Sequence, residues 1–91
     1  MSFPPHADWE RIKSAVWVGA WVSGVVAERR IFGVWVDIGV GQNAHLLASR
    51  FSAPSVDPDA FPAVGSEITV RVLGVDERTR TIALTQLDGD E

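Results

Sequence analysis

Residues 30–39 read Arg30-Ile31-Phe32-Gly33-Val34-Trp35-Val36-Asp37-Ile38-Gly39. β-Branched and aromatic residues dominate the run, a composition that fits a pleated, half-buried surface. Val34, Val36 and Ile38 alternate with Trp35 and Asp37, so one face of a strand over 31–38 is expected to point into a core. Phe32 and Trp35 lie three apart, and strict alternation sends them to opposite faces. Gly33 stands between them, and an interior glycine often marks a bulge that re-aims its neighbours. A bulge there would bring both rings to one solvent face, as a stacking platform or an apolar contact site.

The flanks continue the strand pattern. Upstream, residues 19–27 read as a first strand, with Trp21 and Val26 as core candidates and Gly24 marking a bend. Trp17 is also expected to pack inward. Val22 and Val25 are assigned to the outer surface of that strand, continuous with Trp35. Further upstream, Asp8 is a suitable N-cap for a helix over 9–15. Trp9, Ile12 and Val16 would form its apolar stripe and plug one end of the strands. Downstream, Gly39-Val40-Gly41-Gln42-Asn43 is rich in turn formers and predicts a hairpin into a third strand over 44–48. Residues 50–65 hold three prolines and no period, so they read as a surface loop with one helical or 3-10 turn near Asp59-Ala60-Phe61. Glu67 to Val72 alternates cleanly, with Ile68, Val70 and Val72 inward. Asp76 to Thr79 is a turn, and residues 80–85 form a fifth strand with Ile82 and Leu84 inward. Five short strands with a long connection after the third predict an all-β, five-stranded Greek-key barrel of the OB type with a short N-terminal helix.

Composition narrows the function. Ninety-one residues make one domain. The organisation expected is an irregular lead over 1–8, the barrel over 9–87 and an acidic tail over 88–91. The Met1 start and the acidic tail are those expected of a complete small protein. There is no cysteine, which excludes disulfides, thiolate metal sites and cysteine nucleophiles. No apolar run reaches membrane-span length, and the N-terminus lacks a signal-peptide layout; a soluble, cytoplasmic protein without a membrane partner is expected. The formal charge is −4, which opposes broad electrostatic binding of nucleic acid. Asp88, Asp90 and Glu91 account for most of it, whereas residues 18–50 hold Arg29, Arg30 and Arg50 against Glu28 and Asp37. His6 and His45 are too few and too distant for a metal site. No nucleophile–base arrangement, phosphate-cradling glycine loop or carboxylate pair with a pocket is present. The expectation is a non-catalytic protein with no cofactor, no metal and no small-molecule substrate.

The order of these pieces resembles the S-one (S1) RNA-binding domain, the repeat of the largest small-subunit ribosomal protein. The matching stretches are Gly19 to Val26, Phe32 to Gly39, Ala44 to Ser49, Gly65 to Asp76 and Thr81 to Thr85. The lead Trp9-Glu10-Arg11-Ile12-Lys13 is similar to the entry into the ribosomal repeats. The resemblance implies an RNA face made of two strand aromatics, Phe32 and Trp35, with Asp76 and, four residues on, the basic Arg80. It also implies a histidine on the third strand, but that position is Leu47; His45 lies two residues earlier on the same face.

Two readings follow. In the first, the chain binds single-stranded RNA, with Phe32 and Trp35 stacking on bases, Arg80 and Arg30 on phosphate, and Asp76 orienting Arg80 or accepting from the RNA. His45 belongs to the same candidate set. In the second, the barrel is a protein-interaction or self-association module that works through Val22, Val25 and Trp35.

Overall fold

Alternating branched side chains close the sheet on itself. The structure, a computed structural model, describes residues 5–52 and 58–87. In chain order it contains helix α1 (Pro5–Ser14), strands β1 (Trp21–Arg30), β2 (Gly33–Asp37) and β3 (Asn43–Leu47), 3-10 turns at Ala48–Arg50 and Pro58–Ala60, and strands β4 (Glu67–Asp76) and β5 (Thr81–Thr85). The strands form a closed barrel in the order β1-β2-β3-β5-β4. This is the expected five-stranded OB barrel with a short N-terminal helix. Val26, Val34, Val36, Leu46, Val70, Val72, Ile82 and Leu84 fill its interior, one residue in two along each strand. Residues 1–4 and the acidic tail lie outside the described residues. Among the described residues no helix is long and apolar enough to cross a membrane.

Helix α1 starts earlier than expected, at Pro5, which places Asp8 inside the helix and not at its cap. Proline suits a first helical turn because its missing N–H would be unpaired there anyway. Trp9 and Ile12 are buried in the core as expected, and Val16 packs against it. The indole Nε1 of Trp9 donates to Glu77 Oε1 at 2.8 Å, and Lys13 Nζ lies 2.7 Å from Glu77 Oε2. One carboxylate thus ties the helix to the β4–β5 turn.

Three expectations about β1 and the segment leading into it are corrected. Gly24 and Val26 face inward and Val22 packs against the core, so the even positions of this stretch are interior. Trp21 is therefore outside, 46% exposed, and Val22 does not contribute to the outer surface; Val25 does. Trp17, 77% exposed, is not a core residue either. The barrel lumen is already filled by aliphatic side chains, and an added indole would overpack it.

The bulge is also elsewhere. Gly33 pairs in register with Arg30 on one side and Leu47 on the other, and the irregularity falls between Val26 and Glu28. A side chain at Gly33 would run into the Leu46 carbonyl oxygen and the Leu47 Cα. The glycine serves close approach of β3, not a change of direction.

The connection after β3 is more than a surface loop. Phe51 and Phe61 are buried and meet edge-on, ring centroids 5.1 Å apart, which closes the barrel end opposite α1. The expected single turn near Asp59 is present as Pro58–Ala60. The junction of β3 with β5 is parallel and registered at His45–Ala83 and Leu46–Leu84. Gln42 Nε2 donates to the Arg80 carbonyl at 2.7 Å before it, and Gln86 N donates to the Arg50 carbonyl at 2.8 Å beyond it.

Candidate functional site

Strands β2 and β3 turn Gly33, Trp35 and Asp37, and Asn43, His45 and Leu47, away from the core, because their other residues are interior. Trp35 and His45 are direct cross-strand partners. Their rings stack at 4.9 Å with 30° between planes, and both remain half-exposed. Partial burial holds the His45 imidazole below its ordinary value of 6.5, because desolvation penalises the charged ring. Leu47 lies on the same face beside Gly33.

Phe32 reaches solvent by a different route. It sits with Ile31 in the two-residue turn between β1 and β2, beyond the reach of strand alternation, and is 75% exposed. Arg30 lies beside that turn, opposite Gly33, and its guanidinium is 2.7 Å from Glu28 Oε1. Both partners are solvated, so water and other anions compete with the pair.

Asp76 and Arg80 occupy the other end. Asp76 closes β4, and its Oδ1 accepts the N–H groups of Arg78 at 2.9 Å and Thr79 at 3.4 Å. These bonds, the Arg78 one foremost, hold its carboxyl below the usual range. The carboxylate is thereby a turn-former. Arg80 ends the turn with φ +55°, the one non-glycine positive φ among the described residues. Along the strands the order is Phe32 and Arg30, then Trp35 and His45, then Arg80, a path of about 20 Å at strand rise. The structure thus gathers Phe32, Trp35, His45 and Arg30 toward one end of this face and sets Asp76 and Arg80 at the other.

One further feature was not legible in the sequence. Arg29, Arg30, Ile31, Phe32 and Asp59 line an open groove of about 550 Å³ between the β1–β2 turn and the Pro58–Ala60 turn. No spacing connects Asp59 to Phe32, since only the barrel's closure brings them together.

Residues 16–86 match the S1 RNA binding domain family. The chain is 40% identical over 75 residues to the transcriptional accessory protein Tex of Neisseria gonorrhoeae, covering 81% of this chain and 10% of that protein. It is also 40% identical over 68 residues to the protein tex of Bordetella pertussis, covering 74% and 9% respectively. It therefore spans about a tenth of the length of these relatives. Among solved structures, GSP13 from Bacillus subtilis superposes with a TM-score of 0.66 at 27% identity, covering 77% of this chain and 55% of that one.

Proposed function

Because this chain belongs to the S1 RNA binding domain family, we propose that its barrel binds single-stranded RNA along the outer face of β2 and β3 and catalyses no reaction. The observation that carries this reading is the half-exposed Trp35–His45 stack with Phe32 standing free at the end of the same strand. Flat π surfaces in a row accept successive unstacked bases whatever their identity. Trp35 and Phe32 stack on bases, and His45 backs Trp35 in place of the ring absent at Leu47. Arg30 and Arg80 contact phosphate at the two ends, and Asp76 fixes the turn that presents Arg80. Such a protein works where RNA is single-stranded and accessible, in the cytoplasm.

Magnitudes make the binding weak. Stacking contributes about 1–3 kcal/mol per base, whereas a micromolar complex needs about 8 kcal/mol. Two platforms and two cations therefore give a dissociation constant of tens of micromolar or weaker. Fluorescence anisotropy with a labelled single-stranded RNA at low salt tests this. Trp35→Ala is expected to weaken binding about five-fold or more. Absence of binding at high micromolar protein rejects the reading.

A second reading is supported by a different surface. Trp17, Val18, Trp21 and Val25 are exposed, an apolar area of the kind that marks protein contact. Self-association through it predicts a sedimentation coefficient that rises with concentration and stops rising in Trp21→Ser.

A further inference from the structure

The row of rings on the outer face does not end for lack of room. Trp35 of β2 and His45 of β3 are cross-strand partners with ring centroids 4.9 Å apart, close to the spacing of neighbouring strands. The next strand around the barrel is β5, and the one after it is β4. In register with His45, β5 presents Ala83; in register with Ala83, β4 presents Gly74. One face of the imidazole is covered by Trp35, the one ring stacked on it among the described residues. On the other side the row continues over a methyl group and bare backbone.

That bareness is built into β4. Val72 belongs to the core and Val75 packs against it, although strict alternation would set them on opposite faces. The register shifts between Val72 and Gly74, so Leu73 is the extra residue of a bulge. The shift turns Gly74 outward beside Ala83. Nothing in the fold requires glycine at this position. Its φ is not positive, and an added Cβ would meet no heavy atom within 4 Å beyond its chain neighbours. Glycine in a strand interior also weakens the strand. A position where a side chain fits and none is present keeps a surface open.

We propose that the notch formed by His45, Ala83 and Gly74 seats a further base of single-stranded RNA, stacked on the imidazole face that Trp35 leaves uncovered. The seat rests on the RNA-binding reading above and carries the path from β3 across to β5 and β4. The base stands where a third ring of the row would stand, with its edge over Ala83 and Gly74. Arg80 lies just before β5, about 10 Å from Ala83 at strand rise, so the phosphate leaving the seat runs toward it. Neither Ala83 nor Gly74 offers a polar side chain, so the seat accepts any base by its π face.

The test fills the seat and watches its floor. Gly74→Val and Ala83→Leu are each expected to weaken binding of labelled oligouridine and oligoadenosine about five-fold. Gly74→Val should do so while melting at the same or a higher temperature, because a β-branched residue replaces glycine in a strand. In the unmodified protein, the NMR signal of the Ala83 methyl group should shift together with the His45 ring protons as either RNA is added. Full-strength binding of both RNAs by both variants overturns the seat while leaving RNA binding intact. So does an Ala83 methyl signal that stays still while the Trp35 indole shifts, and this measurement decides if either variant melts lower. No binding of any RNA by the unmodified protein overturns both.

Discussion

Arg80 adopts a left-handed backbone conformation that glycine or asparagine would occupy with less strain. A side chain kept at such a position is a pointer to use of its functional group. Arg80→Gly is expected to raise the unfolding free energy by about 1 kcal/mol, read from the urea midpoint. The same variant should bind RNA more weakly. A variant that binds RNA equally well would remove Arg80 from the proposed site. His45 makes a second prediction. Its native value is lowered by burial, so the unfolded chain takes up the proton first as pH falls. The stability linked to His45 is complete above its ordinary value of 6.5 and is lost as pH falls from there toward the lower native value. His45→Gln should flatten that part of the stability-against-pH curve relative to the unmodified protein. Identical slopes would mean that the imidazole titrates normally.

At the scale of elements, β2 and β3 approach closely because Gly33 has no side chain to separate them. Gly33→Ala forces a methyl group against the backbone of Leu46 and Leu47, and backbone cannot rotate away. A loss of about 1–3 kcal/mol is expected, which lowers the melting temperature by about 4–8 °C for each kcal/mol in a domain of this size. An unchanged melting temperature would show that the strands can part at no cost. The strands themselves were legible, since Val34, Val36, Val70, Ile82 and Leu84 sit at period two and are all buried. Phe32 was legible as an exposed ring and Trp35 as one turned outward, though it is only partly exposed, and the bulge expected at Gly33 is not what places them. The bulge lies at Val26–Glu28, and no glycine or proline marks it. For Trp21, size and hydrophobicity argue for the core while parity with the buried Gly24 and Val26 argues against. Parity prevailed because the strand has only two faces. The Trp35–His45 stack and the Asp59 groove depend on which strands become neighbours, and local pattern carries little of that information.

For the whole molecule, charge and closure set the behaviour. The formal charge of −4 leaves Arg30 and Arg80 as the principal cations along the proposed RNA path, with Arg29 beside it. Two to three neutralised phosphates give a slope of log affinity against log salt of about −1.5 to −2 on single strands. Titration at several salt concentrations measures it, and a slope near zero would leave stacking alone as the source of affinity. Closure has a different consequence. The β3–β5 junction rests on two registered pairs and the bracketing Gln42 and Gln86, whereas β2 and β3 are registered at Gly33–Leu47, Val34–Leu46, Trp35–His45, Val36–Ala44 and Asp37–Asn43. Parting that junction would turn a ring into a ribbon with two bare rims, each a template on which another chain can add. The two glutamines are in this sense catches against polymerisation. His45 stands on the closing line itself, so a strand of RNA lying over it would help bolt the ring shut.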